Sequence, residues 1–365
     1  MLQEKNVIRT FNVGLIVTMF LLFALGIVTL YSATNGPGLR AIYKAQLIYF
    51  AVGVVICLAL VFFDLQMLEK LSYFFYALAL GLLCLVLVVG KIGGGAQRWI
   101  PIGPVHLQPS EFAKLALVFT LAKYFRDDKE DPPYTLRRLV VPALLVVPYF
   151  ILIVIQPDLG TAGIIVLVAT SLVLFLKVRW QSLAIVALIG AVSVPIAYKF
   201  VLHDYQRDRL KTFLDPGRDV RGSGYNALQC RIAVGSGQVF GKGYLKGTQA
   251  QLNFIPEQHT DFIFSVFAEE RGFVGCMILL LLYGFYLFYA LRTAARARDK
   301  FEMLLALGLT SIVFWHVFVN IGMVSGVLPI VGVGLPFFSK GGSALWTFMI
   351  STALLLNIGR KRYIF

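Results

Sequence analysis

Apolar residues gather along the chain into ten runs, at about 12–31, 44–63, 70–90, 109–125, 138–155, 160–176, 180–200, 262–291, 303–326 and 341–358. Most are close to the roughly 17–25 residues that a helix needs to cross a bilayer core. Pro and Gly clusters punctuate them, such as NGPG at 35–38 and DPP at 131–133. The pattern predicts an all-α polytopic membrane protein of about ten transmembrane helices. Residues 1–365 form a single membrane domain, with a large loop, 201–261, between the seventh and eighth spans.

Composition agrees. Of 365 residues, 58% are hydrophobic and only 14% charged, with a mean hydropathy of +0.79; a soluble domain carries about 25% charged residues. The first run follows Lys5 and Arg9 but is longer than the apolar part of a signal peptide, so it reads as an uncleaved first helix. Lys and Arg concentrate in the loops that ten spans place on one side. Both termini fall there, and both are basic, so that side is the cytoplasm.

The net charge is +14, and one segment does not follow the orientation rule. The loop 201–261 lies outside yet carries Arg207, Arg209, Lys211, Arg218, Arg221, Arg231, Lys242 and Lys246. Loops of this length translocate largely regardless of charge. Its basicity therefore reads either as a grip for an anionic ligand or as a solvated loop drawn to anionic headgroups. The four Cys and four His show no disulfide framework and no metal-ligand spacing.

Four stretches carry candidate chemistry. In FIPEQHTDFIFSVFAEERGFVG, 254–275, Thr260 or Asp261 reads as the cap of the eighth span, or Asp261 reads as a general base at the lip of the bilayer. Glu269 and Glu270 fall roughly 12–14 Å deeper along a continuous helix and read as a buried polar network or as an ion path. In QRWIPIGPVHLQPSEFAKLAL, 97–117, Ser110 reads as a helix cap, and Glu111 and Lys114 share one helix face as an anchoring pair or as groove-lining groups. In IQPDLGTA, 155–162, Asp158 reads first as a turn former and cap. In VLPIVGVGLPFFSKGGSALW, 327–346, Pro and Gly break an apolar run. That predicts either an ordinary loop or a cavity-lining segment offering Ser339 and Lys340.

GAQRWI, QPSEFAKL, QPDLGT, YQRDRLKTFLDP, the stretch 235–272 and LPIVGVGLPFFSKGGSAL together resemble the SEDS family (shape, elongation, division and sporulation). The resemblance spans essentially the whole chain, and GKGYLKGTQ with FIPEQHTDFIF is closest to the cell-elongation branch. It implies a multi-pass enzyme of the bacterial inner membrane with its active site on the extracytoplasmic side. The reaction is an inverting glycosyl transfer that joins lipid II to a polyprenyl-diphosphate-linked glycan. The family's essential acidic residue matches Asp261, here the general base. The resemblance further implies substrate contacts from Arg98, Trp99, Glu111, Lys114, Arg207, Arg209, Lys242, Glu257, His259, Ser339 and Lys340, with basic residues such as Arg207, Arg209, Lys242 and Lys114 stabilising the departing diphosphate. A divalent cation, Mg or Mn, is a further implied participant. The implied partners are a class B penicillin-binding protein (a transpeptidase) and membrane lipids, with no nucleic acid. Asp158, Glu269 and Glu270 are structural in this reading. A lipid II flippase and a non-catalytic scaffold are the alternatives. The chain departs from the family pattern at Arg271, where Leu is usual, and at Lys340 and Ala344.

Overall fold

The structure is a computed structural model. It describes residues 12–35, 39–93, 96–103, 105–128, 133–200, 207–208, 211–213, 223–252, 254–255 and 257–360. The apolar runs form long helices: α1 (Val13–Ala33), α2 (Ala41–Val61), α4 (Ser72–Val89), α5 (Pro109–Asp127), α6 (Leu136–Ile155), α7 (Leu159–Phe175), α8 (Trp180–Phe200), α11 (Ile263–Ala294), α12 (Lys300–Ser325) and α13 (Gly342–Arg360). Between them lie the short α3 (Leu65–Lys70), α9 (Ser223–Ser236) and α10 (Thr248–Gln251). The architecture is that of an all-α, multi-pass membrane protein.

Among the described residues, seven helices are long and apolar enough to cross a membrane: α1, α2, α4, α6, α11, α12 and α13. The expected set was ten. Among the other three, α7 has only 17 residues, and α5 carries Glu111, Lys114, Lys123 and Arg126. Many large apolar side chains on α2, α4, α6 and α8 are exposed; a hydrocarbon environment would cover them.

Helix α12 is central. It packs on α5, α7, α9, α11 and α13, while α1 packs on α11 and α2 on α13. Near the chain ends, Asn12 Nδ2 donates to the Tyr289 carbonyl (3.2 Å). The opposite end of the bundle is the distal end. There the stretch between α4 and α5 folds into a small antiparallel sheet, β1 (Lys91–Gly93), β2 (Ala96–Ile102) and β3 (Val105–Leu107), in the order β1-β2-β3. Part of the 201–261 segment is likewise folded, with α9 packed on α11 and α12.

Helix α11 is broken. Gly272 sits at φ 64 and ψ −164 inside it, a conformation essentially reserved for glycine. The turn expected at a helix break is supplied by the 237–243 segment. Phe273 N donates to the Gln238 carbonyl (2.8 Å) and Val274 N to that of Val239 (3.0 Å). Lys242 N and Gly243 N donate to the carbonyls of Glu269 (3.0 Å) and Glu270 (3.1 Å). Phe273 N, Val274 N and the carbonyls of Glu269 and Glu270 are thereby all satisfied across the break, as burial demands.

The break corrects the expected depth of Glu269 and Glu270. The stretch after Gly272, 273–294, is about 33 Å long at 1.5 Å per residue and spans a bilayer by itself. The carboxylates precede that span. The Glu270 side chain accepts from Ser32 at the distal end of α1 and from Leu245 N (3.0 Å). Glu269 Oε1 accepts from Lys242 Nζ (2.7 Å), Thr248 Oγ1 (3.1 Å) and Gln249 N (3.1 Å). Both are buried against the folded distal segment rather than deep among the spans.

Gly272→Ala is expected to destabilise the protein by more than about 2 kcal/mol, the strain of a reserved backbone conformation plus overpacking. Its Cβ would lie 2.7 Å from the Val239 carbonyl oxygen and 2.8 Å from that of Gly237. A thermal melt in detergent reads this out, and an unchanged midpoint would remove the strain account.

Candidate active site

A cavity of about 400 Å³ opens among the distal ends of the helices. Each wall comes from a different element. β2 supplies Arg98 and Trp99, and the start of α5 supplies Glu111. The start of α7 supplies Asp158, and the turn before α11 supplies Glu257 and Asp261. His316 of α12 and the extended segment 331–335 close one side, and Ser339 and Lys340 close another. The broken apolar run is therefore cavity-lining.

Asp261 is not at the N-cap position: α11 begins at Ile263 with Phe262 there, where Thr260 or Asp261 was expected. The Asp261 backbone carbonyl accepts from Asn320 Nδ2 (2.9 Å). Across from it lies Gly332, at φ 73, where a Cβ would sit 3.3 Å from Asp261 Oδ2. A side chain at 332 would crowd the carboxylate, so glycine serves both the turn and the access to Asp261.

Helix α5 also starts differently from expectation. Pro109 occupies its first turn and Gln108 the N-cap position. Ser110 is thus inside the helix, with its buried Oγ lacking a hydrogen-bond partner. The next residue, Glu111, forms the expected pair with Lys114 one turn on, with Nζ 2.9 Å from each carboxylate oxygen. The third contact of Nζ is His316 Nε2, at 2.7 Å. An ammonium has three N–H donors, and all three are taken. Lys114 is also almost wholly buried and does not line the cavity. Its expected contact with substrate is corrected on that ground: the charge is consumed by Glu111 and His316.

Arg98 is tied to the turn before α7. It donates to the carbonyls of Gln156 (3.2 Å) and Pro157 and lies 3.8 Å from Asp158 Oδ1. Asp158 caps α7 through Thr161 N (3.2 Å) and also accepts from Gln108 Nε2 (3.2 Å). Ser339 Oγ donates to the Thr260 carbonyl (2.6 Å) and accepts from Leu335 N (2.7 Å), so it staples the turn before α11 to the cavity wall. Lys340 N donates to the His259 carbonyl (3.0 Å), a second staple between the same segments. Gln46, which the sequence did not flag, completes the arrangement. It donates to the Ser339 carbonyl (3.1 Å) and accepts from Gly341 N (3.1 Å).

The remaining expected residues lie elsewhere. Lys242 is engaged with Glu269 and Thr248 and does not line the cavity. Arg207 donates to the Lys199 carbonyl (2.8 Å), also off the cavity. Arg209 lies outside the described residues. Among the described residues, no group of three or more His, Cys, Asp or Glu side chains is placed to hold a metal ion, so the donor set for a divalent cation is not found there.

His259 stands beside the cavity and not in its wall. Burial first, then the Lys340 charge, holds it below the ordinary imidazole value, while Glu257, 3.7 Å from Nε2, pulls the other way. Lys340→Met is expected to raise the His259 titration and Glu257→Gln to lower it further, read by histidine NMR; no movement in either variant would contradict this placement. Because the folded value is depressed, the contribution of neutral His259 to stability is complete above about pH 6.5 and is lost as pH falls through the folded value.

A bundle of membrane-length helices with a carboxylate-bearing cleft at one end defines a polytopic membrane protein with a polar site at one end of the bundle. The sequence matches the FtsW, RodA and SpoVE family, described as cell cycle protein, over residues 10–364. The chain belongs to this family, which is the SEDS family of the resemblance. It is similar to the peptidoglycan glycosyltransferase MrdB of Escherichia coli K12, 43% identical over 313 residues that cover 86% of this chain and 84% of the relative. It is also similar to stage V sporulation protein E of Bacillus subtilis 168, 35% identical over 363 residues, 96% and 97% of the two chains. Among solved structures, one chain described under "Structural coordination of polymerization and crosslinking by a peptidoglycan synthase complex" matches with a TM-score of 0.84 at 34% identity, covering 97% of this chain and 99% of that one. The rod shape determining protein RodA of Thermus thermophilus matches with a TM-score of 0.73 at 30% identity, covering 97% and 98%.

Proposed function

We infer that this protein is a peptidoglycan glycosyltransferase that builds glycan from lipid II at the distal cleft. The observation that carries the reading is Asp261: a carboxylate in the cavity wall, off the helix cap, facing a glycine and anchored through its backbone. Asp261 takes the proton from the 4-hydroxyl of the acceptor sugar. That oxygen attacks the anomeric carbon of the donor from the opposite face, and the diphosphate leaves with the bonding electron pair. Positioning and proton transfer together lower the barrier. The cations that line the cavity are Arg98 and Lys340, and they face the diphosphate. Lys114 and Lys242 are already committed to Glu111 and Glu269.

Basic chain ends at the opposite end of the bundle support a distal end that faces outside the inner membrane, where lipid-linked substrate and the new glycan meet. A class B penicillin-binding protein is the partner that crosslinks the product, in keeping with the polymerisation and crosslinking named for the similar structure. The flippase reading required charges inside a span; the break at Gly272 takes Glu269, Glu270 and Arg271 out of it. The test is purified protein in liposomes with labelled lipid II. Polymer formation, scored by muramidase-sensitive product, is expected. Movement of lipid II across the bilayer without polymer would replace this reading with the flippase, and neither activity, with or without the transpeptidase, would leave the scaffold.

A further inference from the structure

Two residues of α12 that no sequence motif singled out sit one turn apart, on the face toward the cavity. Asn320 is completely buried. Its Nδ2 donates to two backbone carbonyls, Asp261 (2.9 Å) and Val333 (2.6 Å). Its Oδ1 is buried with no hydrogen-bond partner. An orphaned buried acceptor is destabilising, so stability alone would favour a different residue here. What the amide achieves is a geometric constraint: one planar group fixes the residue bearing the carboxylate to the cavity wall opposite it. The constrained wall is Val331 to Leu335, the segment whose Gly332 faces Asp261 Oδ2.

His316, four residues earlier, holds the same wall. Its Nε2 is 2.7 Å from the Lys114 ammonium. A cationic nitrogen donates, so Nε2 accepts and the ring proton belongs on Nδ1. Nδ1 is 3.3 Å from the Gly334 carbonyl, which receives that proton. The orientation of the ring is thus set by Lys114, and Lys114 is set by both oxygens of Glu111. The edge of the Phe348 ring packs across the imidazole, with centroids 4.9 Å apart and planes at 83°.

We propose that Asn320 and His316 are the positioning residues of Asp261: Asn320 ties its backbone to Val333, and His316, oriented by the Glu111–Lys114 pair, fixes the same wall at Gly334. The pair acts through Asp261 and the backbone, touching no reacting atom. It gives the buried charges of α5 a role other than binding diphosphate. The inference rests on Asp261 being the base.

The experiment measures lipid II polymerisation by the full-length protein, with kcat and KM separated. Asn320→Leu keeps the volume and removes both donors. It is expected to lower kcat by about 10²-fold, the loss that a displacement near 1 Å causes, with KM within about twofold. The same substitution is then made in Asp261→Glu, where the carboxylate is already displaced. There the loss is expected to shrink to less than tenfold, because the two changes damage one arrangement. A merely structural residue would give the same loss in both backgrounds, and that result overturns the proposal, as does folded Asn320→Leu with kcat within threefold of native. His316 supplies an independent arm should Asn320→Leu not fold. His316→Gln, with one acceptor and one donor at similar reach, is expected to retain most of kcat, whereas His316→Phe loses about tenfold or more; equal kcat in the two variants overturns the role. Full activity in Asp261→Ala would defeat the reading of Asp261 itself, a separate outcome.

Discussion

Asp261→Ala is expected to lower glycan polymerisation by about 10²–10⁴-fold, the usual contribution of a general base, while the folded protein persists. The first half follows from chemistry: without a carboxylate beside the acceptor hydroxyl, the proton must leave to water. The second follows from the way Asp261 is held. Its backbone carbonyl accepts from Asn320 of α12, a contact that Ala retains. The helix it precedes starts at Ile263 with Phe262 at the N-cap position. Asp261→Asn separates charge from shape. It preserves the side-chain volume and is expected to be nearly as inactive as Ala. The dependence of kcat on pH adds a further check: the acidic limb of the native profile reports the base, and it is expected to vanish from the residual activity of Asp261→Asn. Native-level polymerisation by Asp261→Asn, with an unshifted profile, would remove Asp261 from catalysis and leave the cleft as a binding site only.

Much of this arrangement was legible in the sequence, and what was not has a physical cause. The apolar runs gave the helices closely, because a bilayer-length helix needs a long unbroken stretch that few alternatives imitate. The Glu111–Lys114 pair was visible from its i,i+3 spacing, and the broken run 327–346 from its Pro and Gly. The depth of Glu269 and Glu270 was misplaced because a rise of 1.5 Å per residue assumes an unbroken helix. Gly272 ends that assumption, and its positive φ goes with close packing against the 237–243 segment, a contact distant in sequence. Ser110 and Asp261 were read as caps because their residue types favour it, yet Pro109 opens α5 one residue earlier, with Gln108 at the N-cap position, and α11 starts after Phe262. His316 and Asn320 left a faint signal, two polar groups four apart within the otherwise apolar stretch 312–324. Such a pair should face the bundle interior with partners. Which partners, and that Lys114 is among them, needs the packing of α5 on α12.

That packing leads to the largest expected effect on stability. Lys114→Met is expected to destabilise the fold by about 3–5 kcal/mol, because it leaves the Glu111 carboxylate buried without its cation. The geometry makes this case severe. Glu111 and Lys114 are both almost wholly excluded from solvent. Both carboxylate oxygens rest on the one ammonium, each at 2.9 Å. Met has nearly the length of Lys and fills its channel, so the loss reads out charge and hydrogen bonding rather than volume. Losing the ammonium also frees His316 Nε2, so the ring is no longer fixed against Gly334. Glu111→Gln with Lys114→Met removes both charges. It is expected to recover most of the stability, since replacing a buried pair by neutral groups of similar volume is often close to neutral. Activity should not recover with it, because the His316 ring still lacks the donor that orients it. Chemical or thermal unfolding in detergent, followed beside lipid II polymerisation, separates the two readouts. A single Lys114→Met variant as stable as native would contradict the buried pair. A double variant restored in both stability and polymerisation would show that the pair holds the helix and nothing more.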